Sequence, residues 1–155
     1  MNLAALRLAA LSLLIAAGAS FAADVAPPAN DKLAAARSRI AEKNWAAAID
    51  ELKKVDDPAS ADWNNLMGYS LRKADPGANA EAAEKFYDAA LRIEPRHRGA
   101  LEYSGELYLM TGNLAKAEER LATLDKACFL PCEEYNDLKR AVARYKAAGN
   151  RYVAP

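Results

Sequence analysis

Residues 63–121 read WNNLMGYSLRKADPGANAEAAEKFYDAALRIEPRHRGALEYSGELYLMTGNLAKAEERL, and within them Ala83, Tyr87 and Ala90 share one helical face. The same face returns 34 residues downstream as Ala117, Leu121 and Leu124, and 35 residues upstream as Ala48, Leu52 and Val55. A stripe that repeats with a period near 34 marks an array of helical hairpins, each covering the apolar face of the next. Gly68 and Gly105 stand at matching places in two of these hairpins. Glycine inside a helix costs about 1 kcal/mol relative to alanine. Its presence at both places predicts close approach of another backbone, that of the antiparallel partner helix.

Outward from this stretch, turn signals divide the chain into hairpins at 31–57, 60–94 and 97–127. In the first, Asn30 or Asp31 is the expected cap and Leu33, Ala36 and Ile40 form the apolar stripe. Asn44 interrupts, and a second helix carries Trp45, Ala48, Ile49, Leu52 and Val55 until Asp57 meets Pro58. Ser60 caps the next helix, with Trp63, Leu66, Met67, Tyr69 and Leu71. Asp75, Pro76 and Gly77 form a strong turn, and the extra length of this loop places an insertion at 74–79. Its partner helix stops at Glu94 and Pro95, and Thr111, Gly112 and Asn113 turn the third hairpin. Residues 133–149 put Tyr135, Leu138, Val142 and Tyr145 on one face and charge on the other, a helix fit to cap the open end of the array. Residues 150–155 read as a frayed tail.

The residues Pro95, Leu101, Gly105, Tyr108 and Ala117 resemble the tetratricopeptide repeat, with Met67, Gly68, Leu71, Ala83, Tyr87 and Ala90 as a second copy. The resemblance spans about residues 31–127. The first copy departs from the pattern, with Ala36 at the glycine position and Arg39 where the family prefers an aromatic residue. Phe129 stands where a closing proline would follow the third copy. Residues 128–135 are also similar to the ends of small exported proteobacterial repeat proteins. The resemblance implies an all-α, right-handed superhelix of about three hairpins plus a capping helix. Its concave surface would hold an extended peptide or another protein. Carried over from the two glycines, the partner-binding positions are Asn65, Tyr69, Arg72, Glu102, Glu106 and Leu109, with Arg37 added by the first copy. Asn65 is the foremost of them, because an amide pairs with a peptide backbone in both directions. A few repeats also pair across chains, so a monomer and a dimer both fit.

Residues 1–22 carry one basic residue, Arg7, then an uncharged apolar run and a small-residue end at Ala22. This reads as an export signal cleaved before Ala23, since spanning a bilayer takes about 20 apolar residues. Pro27 and Pro28 make residues 23–30 a flexible tether. The expected mature chain carries 20 basic and 21 acidic residues, a balance that disfavours nucleic acid and anionic membranes. A periplasmic protein is the expectation, with no membrane insertion after cleavage.

In that compartment Cys128 and Cys132 have three readings. They form a disulfide joining the last repeat helix to the capping helix, or two thiolates hold a soft metal such as Cu(I), or the pair is a redox dithiol. Glu133 and Glu134 would oppose a low thiolate pKa, and the helix N-terminus would favour one. The disulfide is the expectation, with no metal and no cofactor. His97, the single histidine, lies between Arg96 and Arg98 without a nucleophile or orienting acid in its motif, and reads as an exposed turn residue. Trp45, Trp63, Tyr87 and Tyr108 read as core. No constellation of nucleophile, base and orienter emerges, so an enzyme is not expected.

Overall fold

The computed structural model describes residues 31–130 and 132–154, which form seven α-helices and no strand. They are α1 (Ala34–Ala41), α2 (Trp45–Val55), α3 (Ala61–Ala74), α4 (Ala80–Ile93), α5 (Arg98–Met110), α6 (Leu114–Ala127) and α7 (Glu133–Ala147). The expected export signal at 1–22 and the expected tether at 23–30 lie outside the described residues. No described helix is long and apolar enough to cross a membrane.

Ser60 caps α3 as the sequence places it, its oxygen accepting from the Trp63 N–H. Asn44 and Asn113, read from the sequence as an interruption and a turn residue, also cap α2 and α6 by accepting from the Ala47 and Lys116 N–H groups. The expected cap of the first helix is corrected: Leu33 stands at the N-cap of α1 with no side-chain cap bond, and Asp31 accepts from the Leu33 N–H, one residue short of the helix. In the loop with the insertion, Asp75 Oδ1 accepts from the N–H groups of Gly77 and Ala78, which closes the turn before α4. The turn between α5 and α6 needs a left-handed residue and has Gly112 at φ 80°. Its counterpart between α1 and α2 uses Lys43 at φ 57°, a conformation less favourable for a residue with a Cβ.

Each helix packs on its neighbours in sequence, and the odd helices also touch one another: α1 on α3, α3 on α5, α5 on α7. The backbones of the even helices α2, α4 and α6 stay farther apart, and α4 meets α6 through the side-chain pairs Glu84–Lys116 and Asp88–Arg120. The odd helices therefore form a continuous inner layer and the even ones an outer, more widely spaced layer, giving a helical-repeat-like array. The core follows the same order in three clusters. Leu33, Ala36, Leu52, Trp63, Leu66 and Met67 fill the α1–α3 end. Ala83, Tyr87, Ala90, Ala100 and Leu107 form the middle. The α5–α7 end is built on Leu101, Tyr108, Leu109, Leu124, Leu138 and Tyr145, among others. The repeating stripe lies at these seams: Ala48, Ala83 and Ala117 have no exposed surface. At the first seam the Trp63 indole N–H donates to the Leu52 carbonyl at 2.7 Å, pinning α3 to the end of α2.

The two helix glycines do different things. At Gly68 an added Cβ would lie 2.8 Å from the Tyr87 ring and 3.1 Å from the Ala83 carbonyl, both on the partner helix α4. At Gly105 the nearest atoms are instead those of the Leu138 side chain on α7, at 2.5 Å. The expectation of a partner-helix backbone there is corrected: Gly105 makes room for the capping helix. Nor is the tail at 150–154 simply frayed, because Tyr152 returns to pack half-buried against the α5–α7 core.

Candidate functional site

The inner layer gathers most of the residues that the sequence singled out. On α3, Tyr69 sets its ring edge-on to Trp45 at 5.9 Å and 4.5 Å from the Tyr103 ring of α5. Trp45 is half-buried and belongs to this face, whereas Trp63, Tyr87 and Tyr108 are core as expected. Lys73 lies over the Trp45 and Tyr69 rings at 6.0 and 5.8 Å, and the Arg72 guanidinium lies 5.7 and 5.8 Å from Tyr69 and Tyr103.

Arg72 is 2% exposed, and its Nη2 donates to Glu106 Oε2 at 2.8 Å. Burial opposes its charge, but Tyr87 and Glu106 outweigh that penalty and raise its pKa. The Tyr87 hydroxyl faces this guanidinium without a hydrogen bond of proper geometry, and burial raises its pKa. Two of the expected binding residues thus pair with each other across α3 and α5, while Arg72 Nε stays buried without a hydrogen bond. The Arg72–Glu106 spacing of 34 residues was a legible signal: opposite charges one repeat apart face each other across adjacent hairpins. Glu84 with Lys116 and Asp88 with Arg120 do the same at a spacing of 32. Arg37, half exposed, pairs with Asp31 and Asp62 at the α1 end. Leu109 is 1% exposed and sits in the α5–α7 core, so it presents nothing to a ligand.

Two expected residues remain without partners. Asn65 is 7% exposed, its Oδ1 is buried with no hydrogen bond, and its Nδ2 lies over Gly99, 3.0 Å from where a Cβ would stand. Glu102 occupies the corresponding place on α5 and is likewise 7% exposed. Burial pushes its carboxyl up to about 8, helped by Glu106, Asp137 and Glu134 and opposed by Arg72. Tyr103, its pKa raised by burial and then by Glu102, Tyr69 and Glu106, and Tyr152, its pKa raised by burial and then by Glu106, complete the neighbourhood.

His97 is no exposed turn residue. Its Nδ1 accepts from the Ala100 N–H at 3.1 Å, capping α5, and its Nε2 meets Asp62 Oδ1 at 3.0 Å. This arrangement requires the tautomer with its proton on Nε2, and both nitrogens are occupied. The side chain is only 11% exposed. A histidine one residue before a helix with no other cap was the overlooked signal.

Cys128 and Cys132 form a disulfide, with Cα atoms 5.9 Å apart. It joins the C-cap of α6 to the N-cap of α7, as the first reading of the pair has it. Beside it Phe129 and Leu130 stand in solvent, 101% and 71% exposed. The two cysteines, His97, Gly99, Glu133 and Glu134 line an open cavity of about 1040 Å³. His97 and the cysteines thus border one cavity, and no group of three or more ligand side chains with metal-site geometry exists among the described residues. Gly99 ties this cavity to the inner layer, since the Asn65 amide of α3 lies against it. A smaller cavity of about 440 Å³ lies on the other side, between α3 and α4, with Phe86, Ala82 and Ala89 in its wall.

In sequence the chain matches no protein-family model and no curated protein.

Proposed function

We propose that this protein is an exported interaction scaffold of tetratricopeptide-like hairpins whose inner layer binds an extended segment of a partner protein and does no chemistry on it. The observation that carries the reading is the Asn65 amide on α3, 7% exposed, whose Oδ1 is buried with no hydrogen-bond partner. A buried acceptor without a partner costs about 1–3 kcal/mol, and a peptide backbone passing along α3 and α5 would supply both a donor and an acceptor. The half-exposed rings of Trp45, Tyr69 and Tyr103 offer such a segment a flat apolar bed.

A photo-crosslinking residue at position 69 tests this in the native compartment. It should yield adducts to one defined peptide of a partner, while the same residue at Lys85, on the outer layer, yields none. Asn65→Ala should cut the adduct about tenfold, the effect of losing roughly 1.4 kcal/mol. Equal adducts at both positions, or indifference to Asn65→Ala, would defeat the proposal.

The second reading makes the cysteine pair the active element, on the observation that the disulfide opens onto the larger cavity beside exposed Phe129 and Leu130. Replacing both cysteines with serine separates the two. The adduct at position 69 should survive in the scaffold reading and vanish in the thiol reading.

A further inference from the structure

The four carboxylates where α5 meets α7 are not equivalent. Glu106 has Arg72 at 2.8 Å, Glu134 has Arg98 at 3.6 Å, and Asp137 has Arg140 on its own helix. Glu102 stands among these three, 7% exposed, with no hydrogen-bond donor or cation of its own among the described residues. The cation that does act on it, Arg72, gives its Nη2 to Glu106.

A carboxyl in so enclosed a place, with no cation of its own, gives up most of its hydration when it ionises. Glutamine or leucine would fill the same space at lower cost. The cost is recovered if a cation from outside the chain completes the group. Three further observations give that cation its surroundings. Gly99 lines the open cavity and lies against the Asn65 amide, with 3.0 Å between Nδ2 and the place of an added Cβ, so the cavity reaches that anchor from outside. Asn65, at the same place one hairpin earlier, is also unpartnered and nearly buried, so a ligand has two polar anchors on successive inner helices. Tyr69 and Tyr103 already hold one guanidinium, that of Arg72, near their rings.

We propose that the inner-layer site takes a peptide segment bearing a lysine or arginine side chain, whose charged head pairs with Glu102 while its backbone meets Asn65. This rests on the scaffold reading above and goes beyond it by giving the partner a chemistry. It also assigns opposite roles to two neighbouring acids: Glu106 holds the fold through Arg72, and Glu102 is held open for the ligand.

The test uses the whole chain as purified and four blocked pentapeptides, Ac-Ala-Ala-X-Ala-Ala-amide, with X as lysine, arginine, norleucine or glutamate. Binding is read from backbone amide shifts of α3, α5 and α7 in NMR titrations. Lysine and arginine peptides should bind at least tenfold more tightly than norleucine, the glutamate peptide should bind most weakly, and Glu102→Gln should erase the lysine preference. Asn65→Ala should weaken all four alike. Glutamine keeps the shape of Glu102, so the variant's unchanged spectrum away from the site checks that it folds. Four peptides that bind equally well would overturn the cation assignment and leave the groove reading standing. Four that fail to bind would overturn both. Spermidine binding at Glu102 in place of the peptides would also overturn the proposal, since the site would then belong to a small polyamine.

Discussion

Helices α3 and α5 carry the same register of inner-layer positions 37 residues apart, Asn65 with Glu102, Gly68 with Gly105, Tyr69 with Glu106, and Arg72 with Leu109. Their contents have different fates because their neighbours differ. The face of α3 is answered by α5, which supplies Glu106 for Arg72 and Tyr103 for Tyr69. The face of α5 is answered by α7, which brings Leu138 into the Gly105 notch and adds Asp137 and Glu134 to Glu102. Position in a repeat decides where a side chain points. The next repeat decides whether it is structural or left over.

The harshest way to probe the comparison is to truncate Arg72 and Leu109 to alanine. Both should cost about 3 kcal/mol in denaturant melts, for opposite reasons. Leu109→Ala leaves a cavity, while Arg72→Ala strands the Glu106 carboxylate. A Glu106→Gln background tells them apart. It should reduce the Arg72→Ala cost by 1 kcal/mol or more and leave the Leu109→Ala cost unchanged, as double-mutant cycles read coupled and uncoupled pairs. Equal costs in both backgrounds would dissolve the distinction.

The glycines come next. Gly68→Ala must displace the fully buried Tyr87 ring and press on the Ala83 carbonyl. It should destabilise by about 2 kcal/mol, within the range for overpacking. Gly105→Ala meets the far end of the Leu138 side chain and no backbone atom, so although that side chain is fully buried a shift of its tip accommodates the methyl. Its cost should be the smaller of the two by about 1 kcal/mol, both variants gaining the same helix propensity. Thermal melts giving the reverse order would mean that α7 is the more rigid neighbour.

The gentlest probe sharpens the pair Asn65 and Glu102. Burial first, then Glu106, Asp137 and Glu134, lift the Glu102 pKa from its ordinary 4.5 to about 8, against a smaller opposing pull from Arg72. Between those values the folded chain keeps a proton that the unfolded chain has lost, so stability falls as pH rises through that window. Glu102→Gln removes the effect. Its melting temperature should match the parent near pH 4 and exceed it above pH 8, by the equivalent of about 1–2 kcal/mol after solvent screening. Asn65→Asp, without acidic neighbours of that kind, should not reproduce the curve.

Much of the architecture was legible because its punctuation is local. Pro95, the Asp75–Gly77 turn and the Thr111–Asn113 turn mark the ends of α4, α3 and α5 as the structure has them. Capping by Ser60 depends on a few adjacent residues, and so does the apolar stripe. The site was legible as a face but not as a set of roles. That Arg72 is occupied and Glu102 is vacant depends on which charges the next helix brings, and this is decided 30 or more residues away. Likewise the contact of Gly105 depends on how deeply α7 seats, which the sequence of α5 does not encode. His97 was misread because its cap bond is local while its second bond, to Asp62, spans a whole hairpin.

The contact order of the helices has a mechanical consequence. No helix among the described residues touches another more than two elements away, so the two ends of the array are fastened only through what lies between. Pulled by its ends, such a molecule has no shear-loaded clasp to resist the force as a unit. It peels. The α1 end should yield first, being eight residues long with its ion pairs at the surface. The disulfide between α6 and α7 should keep the opposite end folded longest. The fold thus behaves as a zipper with one end stitched, and the unpaired Glu102 sits next to the stitching.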